Sequence, residues 1–224
     1  VDQFVYVSKY VKKEKEKQFP IMIKKKSIVI YNGTQKRESF DKKTLPNKKF
    51  NLLSIGGLID VKNFDIIIEM MKILKNEKEF HLTIIGEGPN EKKIKSKIVK
   101  YKLDNCVSLI GYKSNIGDYL NCCDIYLHPA YAEGFGIAII EAMLASKPVI
   151  VSNKGASIEI ITDNINGKIA SFKDSKQWAK SVIELYKDKN LRNRLSVNGF
   201  NNASKKFTLD IFSSNYMNIY KKII

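Results

Sequence analysis

The sequence predicts an α/β protein, a doubly wound, Rossmann-like parallel sheet followed by a helical C-terminal tail. Three observations carry this expectation. From Phe50 onward, short apolar runs alternate with longer segments of helical periodicity. Turn signals close those runs at Gly56-Gly57, Gly86 to Pro89, Gly111-Tyr112 and Pro129 to Gly136. After Gly167 the chain returns once to an apolar run and then stays helical in pattern to its end. In such sheets ligands bind beyond the carboxyl ends of the strands, and all four turns fall at that edge.

Taken in order, Asp2 to Tyr6 alternates as a short strand, and lysine-rich Lys9 to Lys26 reads as a helix or loop interrupted by Pro20. Ile28 to Tyr31 is a second short strand, closed by the Asn32-Gly33 turn signal. Arg37 to Lys49 is polar and contains Pro46, which marks a domain boundary. Asn51 to Ile55 is a buried strand, and Phe64, Ile67, Ile68, Met71 and Leu74 recur at helical spacing. Phe80 to Ile85 is the next strand, followed by a lysine-studded helix to about Lys102 and a strand over Val107 to Ile110. Ser114 is the candidate cap of a short helix to Cys122, and Asp124 to Leu127 is a strand. An apolar helix over Ile137 to Ala145, a strand over Val149 to Val151, a short helix near Ile158 to Ile161 and a strand at Lys168 to Ala170 follow. Trp178, Val182, Leu185 and Tyr186 form a core stripe. Leu191, Leu195 and Val197 form a looser one, and Ile211, Tyr216, Ile219 and Tyr220 a third.

Composition narrows the function classes. The 224 residues suffice for one α/β domain with a real core. The first residue is not methionine, so the chain is expected to be part of a longer protein. No apolar run approaches the roughly 18 residues of a membrane-spanning helix, and no signal-peptide pattern opens the chain. Cys106, Cys122 and Cys123 are too few and too irregularly spaced for a disulfide framework or metal site. His81 and His128 are expected to be packed or hydrogen-bonded, and a reducing, cytoplasmic setting follows. The net charge of +16 is almost wholly lysine, with only Arg37, Arg192 and Arg194 as arginines. Its lysines are dispersed and seldom alternate with aromatics, so a solvated surface is expected rather than a nucleic-acid interface. The field would still draw a phosphate-bearing ligand or an anionic lipid surface.

The chemistry concentrates between His128 and Ser152. Glu133-Gly134-Phe135-Gly136 forms a turn before the apolar helix, and Glu141 interrupts that helix between Ile140 and Ala142. A carboxylate among apolar neighbours is costly to bury unless something satisfies it. Two glutamates eight positions apart can therefore border one pocket at the top of a parallel strand. Gly134 and Gly136 let the backbone approach a ligand, and the first turn of the helix offers free N–H groups and a dipole that favours an anion. Ionised carboxylates are acceptors suited to sugar or ribose hydroxyls. The alternative is that Glu141 pairs with a lysine and Glu133 is a solvated loop charge.

Glu133-Gly134-Phe135-Gly136 followed by Glu141-Ala142-Met143 resembles the Glu-x7-Glu signature of retaining glycosyltransferases of the GT-B fold, in glycosyltransferase family four. Cys123-Asp124 before the strand, Pro148-Val149 after the helix and the Gly155-x-x-x-Glu159 loop fit as well. The resemblance implies the C-terminal, donor-binding half of a GT-B fold. Residues 1–45 would be a remnant of the acceptor domain and linker, 46–206 the nucleotide-sugar-binding domain and 207–224 a C-terminal helix. It also implies that Glu141 contacts the ribose of the donor nucleotide and Glu133 the donor sugar, with amides from Gly134 and Phe135 through Gly136, Ile137 and Ala138 meeting sugar and diphosphate. Ser54 to Asn63 resembles the family's phosphate-binding segment, so that Gly56 and Gly57 approach the donor and Lys62 neutralises the departing diphosphate. By the same resemblance Gly86 and Gly88 lie near the nucleotide, and Tyr112 and Lys113 near the base.

Departures from the family pattern are also present. Gly57 stands where arginine is usual, and lysine cannot reproduce the planar fork of arginine on phosphate. Ser146 replaces a glycine, Ala130 a serine, and Ala156-Ser157-Ile158 a Gly-x-Pro step. The resemblance implies retaining, metal-free transfer from a nucleotide-diphosphate sugar, UDP-sugar foremost, to a saccharide or lipid-linked acceptor, with no other cofactor. It implies as partners the missing N-terminal domain and peripheral contact with the inner membrane face, but no nucleic acid. A fragment lacking its acceptor domain is expected to be inactive alone. Two rivals stand beside this reading. One is a nucleotide-binding module weakened at Gly57, and the other is a basic nucleic-acid-binding protein suggested by charge alone. A dinucleotide-dependent dehydrogenase is disfavoured, because Gly86-x-Gly88 lacks the third glycine and the acidic partner of that fingerprint.

Overall fold

The computed structural model describes residues 3–20, 26–37, 45, 49–77 and 79–223. Its main body is a six-stranded parallel sheet. β3 (Phe50–Ile55), β4 (Phe80–Ile85), β5 (Val107–Leu109), β6 (Ile125–His128), β7 (Val149–Ser152) and β8 (Lys168–Ala170) lie in the order β5-β4-β3-β6-β7-β8. The chain moves outward on one side through β3, β4 and β5, then crosses back to place β6 beside β3, with Leu52 opposite Ile125 and Leu53 opposite Tyr126. That reversal creates a crevice at the carboxyl ends of β3 and β6.

These strands form because both of their faces are covered, which suits continuous apolar runs rather than alternation. Leu52, Leu82, Ile84, Ile125, Leu127 and Ile150 pack on one side. They meet Phe64, Ile67 and Met71 of α2 (Phe64–Leu74), Ile94 of α3 (Glu91–Lys100), and Trp178, Val182 and Leu185 of α7 (Ser175–Lys187). Leu53, Ile85, Tyr126, Val149 and Val151 point to the other side. Their partners are Leu120 of α4 (Ile116–Cys122), Ile139, Ile140 and Met143 of α5 (Ile137–Leu144), Ile160 of α6 (Ser157–Ile160) and Ala203 of α8 (Lys189–Lys206). Successive strand residues thus feed opposite layers, as the pleat requires.

Upstream, β1 (Phe4–Tyr6), α1 (Lys9–Gln18) and β2 (Ser27–Val29) make a small parallel pair with its crossover helix. This unit is docked on the body. The Ser8 hydroxyl donates to the Gly134 carbonyl at 2.6 Å, and the amides of Lys9 and Tyr10 donate to the Glu159 carboxylate at 2.9 and 2.7 Å. The Tyr31 hydroxyl donates to the same carboxylate, while its ring stacks on Phe135 and meets Phe207 edge-on. α9 (Leu209–Ile223) ends the chain, with Thr208 bridged to Thr34.

Several expectations change in detail. The lysine-rich upstream segment is helical to Gln18, and β2 stops at Val29 so that Tyr31 is released to pack on Phe135. Asn115, not Ser114, stands at the N-cap position of α4, and its side-chain amide donates to the Asp118 carboxylate rather than capping the helix amides. On the largely polar α8, Val197 is exposed while Leu195 is buried, and on α9 Tyr220 is exposed while Ile219 is buried. Neighbouring apolar residues on a helix cannot share a face, and only one of each pair reaches the core. Pro46 and most of the expected boundary between Arg37 and Lys49 lie outside the described residues.

Candidate functional site

The loops after β3, β4 and β6 build the floor of the crevice. Gly56 follows β3, and Gly86 follows β4 with φ of +149°. The two backbones are so close that a Cβ on Gly86 would lie 1.9 Å from the Gly56 carbonyl oxygen. Gly88 likewise presses on the Leu58 backbone and does not line the crevice, so its role is to let two loops approach rather than to meet a ligand. Gly57 is different, since a Cβ there would meet nothing nearer than the Glu87 carbonyl at 3.8 Å.

Lys62 lies in a 3-10 turn (Asp60–Lys62) after the Gly56-Gly57 loop. Its ammonium reaches across the crevice to Glu133, with Nζ 2.6 Å from Oε2. His128, the last residue of β6, bonds the same oxygen through Nε2 at 2.9 Å. Its Nδ1 lies 3.4 Å from the Tyr126 hydroxyl. Burial alone would raise the Glu133 carboxyl, but the hydrogen bonds and charges of His128 and Lys62 outweigh it and bring the pKa down to about 2. Glu133 is therefore an ion-paired carboxylate inside the crevice and not a solvated loop charge.

The backbone around Glu133 is held from two sides. The Ala156 amide donates to the Glu133 carbonyl at 2.8 Å, with Gly155 at φ +70° pressed against the same residue, and Ser8 holds the Gly134 carbonyl. Gly136, at φ +102°, then opens α5. Helical bonding to the Gly136 carbonyl begins at the Ile139 amide, so the amides of Ile137 and Ala138 have no partner within their helix. Phe135 lines the crevice wall and is buried against Tyr31 and Phe207.

Two lobes open from this floor and share Ile55, Gly56 and Gly57. One, of about 420 Å³, is lined by Lys62, His128 and Glu133 through Ala138, with Val7 and Asn32 contributed from upstream. The other, of about 440 Å³, runs past Gly86, Glu87, Tyr112, Lys113 and Ser114, and Arg37 lines it as well. The Glu87 carboxylate accepts the Tyr112 amide at 3.2 Å, which holds the wall of this lobe.

Glu141 does not line either lobe directly. It is buried on α5, and its Oε1 accepts Arg37 Nε and Nη2, both at 2.7 Å. The partner is thus an arginine from the segment before β3, and not one of the lysines. Of the expected site residues, Lys62, Glu133 through Ala138, Gly56 and Gly57 converge on the first lobe, and Gly86, Tyr112 and Lys113 on the second. Sequence reasoning missed His128, Arg37 and Glu87 as site residues, and it gave no role to Ser8 or Glu159. A histidine ending the strand that leads into the motif was the signal for His128, whereas Arg37 had none. Among the described residues, no group of three or more His, Cys, Asp or Glu is arranged to hold a metal ion.

Comparison with known proteins adds independent findings. Residues 35–202 match the family model described as glycosyl transferases group 1. An uncharacterized glycosyltransferase of Methanocaldococcus jannaschii is 30% identical over 99% of this chain and 60% of its own length. The N,N'-diacetylbacillosaminyl-diphospho-undecaprenol alpha-1,3-N-acetylgalactosaminyltransferase of Campylobacter jejuni is 27% identical over 89% of this chain and 52% of its own. The chain thus spans only part of these relatives. The Anabaena protein HepE, solved in complex with UDP-glucose, superposes over 99% of this chain and 64% of its own, with a TM-score of 0.82 at 21% identity.

Proposed function

This chain belongs to the glycosyl transferases group 1 family, with the GT-B architecture of its donor-binding half, and from that premise we propose that its crevice binds a nucleotide-diphosphate sugar, UDP-sugar in the first instance. The observation that carries the reading is the meeting of Lys62, His128 and Glu133 at the reversal of strand order, beside the open amides at the start of α5. Lys62 and those amides stabilise the diphosphate, in the ground state and as it departs. Glu133, held ionised down to about pH 2, is a poor base but a strong acceptor, so it orients a donor-sugar hydroxyl and supports positive charge at the reacting carbon. By the Glu133-x7-Glu141 resemblance, Glu141, buried behind Arg37 of the second lobe, accepts a ribose hydroxyl through its other oxygen, and the base enters that lobe between Gly86 and Tyr112-Lys113. Transfer proceeds with retention and needs no metal or other cofactor, as the Glu133-x7-Glu141 resemblance implies.

The acceptor is a saccharide or lipid-linked saccharide supplied at the mouth of the first lobe. The name of the Campylobacter relative, which includes an undecaprenol-linked saccharide, supports this class. The net charge of +16 favours peripheral contact with an anionic membrane face on the cytoplasmic side. Among the described residues, no helix is long and apolar enough to cross a membrane. A second reading, a nucleotide-binding module with weak turnover, is favoured by Gly57, which leaves the loop between the lobes without a cation.

Thermal unfolding with UDP, GDP and ADP tests the donor site. Ligand at about one hundred times its dissociation constant adds about 2.7 kcal/mol. One nucleotide is expected to raise the unfolding temperature, and Lys62→Ala is expected to lose most of that rise. No shift with any of the three overturns the proposal.

A further inference from the structure

We infer that Arg37, which belongs to no motif of the sequence, is a phosphate-binding residue of this crevice and holds the nucleotide phosphate next to the ribose, an inference that rests on the donor-site reading above. Arg37 comes from the segment between β2 and β3 and lines the second lobe with Gly57, Gly86, Tyr112 and Lys113. Its pairing with Glu141 is lopsided. Nε and Nη2 both contact Oε1, so the remaining N–H groups of the guanidinium stand outside the pair. The exposures are lopsided as well, 51% for the Arg37 side chain against 4% for Glu141. A guanidinium that served only to neutralise a buried acid would be expected to be buried with it. This one is anchored at one edge and open at the other, the form in which arginine grips a phosphate by its planar fork.

The local charge balance favours the same assignment. Lys62 serves the other lobe, and Gly57 between the lobes carries no side chain. Among the described residues, Arg37 and Lys113 are the basic residues lining the second lobe. If Glu141 accepts a ribose hydroxyl through its other oxygen, the guanidinium on Oε1 lies where the phosphate joined to that ribose must pass. Arg37 and Glu141 then act on adjacent groups of one ligand, and the ion pair sets the spacing between them.

The test compares UDP with uridine on the purified protein, with GDP against guanosine and ADP against adenosine in parallel. UDP is titrated calorimetrically, and uridine by saturation-transfer NMR, which reads millimolar binding. Arg37→Ala is expected to weaken UDP by about tenfold or more, the scale of one charge-assisted bond, while uridine changes by less than about twofold. Arg37→Lys is expected to fall between. Should Arg37→Ala leave Glu141 unpaired and misfold, Arg37→Ala with Glu141→Gln is read against Glu141→Gln alone, a pair that orphans no charge. Equal weakening of UDP and uridine would make Arg37 a structural counter-ion and overturn the inference. Tighter binding of both would make it a plug and overturn it equally. If the unaltered protein binds none of the three diphosphates, the donor-site reading itself fails and the inference goes with it.

Discussion

Lys62 and Glu133, 71 positions apart in sequence, meet across the crevice with 2.6 Å between ammonium and carboxylate. Neither the loop after β3 nor the loop after β6 forms this contact alone, and the strand order brings them together. With His128 on the same oxygen, the pair keeps a largely buried carboxylate ionised.

The first prediction concerns acid stability. The Glu133 carboxyl titrates at about 2 in the folded protein against an ordinary 4.5. A depressed carboxyl stabilises the fold above its unfolded value, and that stability is lost as pH falls from about 4.5 towards 2. Its contribution is on the order of 3 kcal/mol. Urea unfolding between pH 6 and 2 should therefore show a shallower acid loss in Glu133→Gln than in the parent. Parallel pH profiles would remove the ion-paired carboxylate from the account.

The second concerns the docking of α1. Glu159 accepts two backbone amides at the start of that helix and the Tyr31 hydroxyl, an N-cap supplied from a distant part of the chain. Glu159→Ala leaves all three donors without it and should destabilise the protein by about 1 to 3 kcal/mol. Hydrogen exchange should speed up at Lys9 and Tyr10 and leave β6 and β7 unchanged. Unaltered exchange at both amides would mean that other contacts carry the docking.

These cases show what could be read from the sequence. The inner strands β3, β4, β6 and β7 were legible because each is buried on both faces and therefore written largely as an apolar run, whereas the edge strands β5 and β8 are only partly buried. Lys62 and the Glu133 to Glu141 stretch were legible because glycine turns and an unexpected carboxylate in an apolar helix are local signals. The Arg37–Glu141 pair spans 104 positions and draws on one of 39 basic residues, so no local pattern selects it. Gly86 and Gly88 look like a ligand loop in sequence, yet their close neighbours are the backbones of Gly56 and Leu58. Val197 and Tyr220 were misplaced because on mostly polar helices an apolar residue one step off the buried stripe reads much like a member of it.

The third prediction follows from Ser146, where the sequence departs from the glycine of its family. Ser146 follows α5 at φ +56°, with its amide on the Met143 carbonyl and the Lys147 amide on that of Ala142. This is a left-handed helix end that favours glycine. Ser146→Gly should raise stability by up to about 1 kcal/mol, the relief of left-handed strain less the added freedom of the unfolded chain. A lower unfolding temperature would show that the serine side chain contributes more than its backbone strain costs.

Gly86 should behave in the opposite way. A methyl group there has no space beside the Gly56 carbonyl, and φ of +149° is unsuited to any side chain. Gly86→Ala should cost about 2 kcal/mol or more. It should also weaken nucleotide binding, because the loops it pushes apart line both lobes. Full stability in this variant would mean that the loops separate at no cost.

Gly57 separates the two readings of the crevice. Its Cβ position is open, with the Glu87 carbonyl at 3.8 Å, and its φ lies outside the range that strains a side chain. Gly57→Arg should therefore fold as the parent does. It would place a guanidinium at the junction of the two lobes, where a diphosphate must cross from one to the other. If the crevice is a donor site short of one cation, UDP binding should tighten by about threefold to tenfold. The new arginine would share the second lobe with Arg37, so part of the gain is offset by repulsion between like charges. The gain should accordingly be larger in an Arg37→Ala background, where Gly57→Arg restores affinity that the first change removed. A calorimetric double-mutant cycle over Arg37 and Gly57 measures that difference directly. Independent, additive effects would place the two side chains on separate parts of the ligand, and no gain in either background would mean that phosphate does not cross the floor at Gly57.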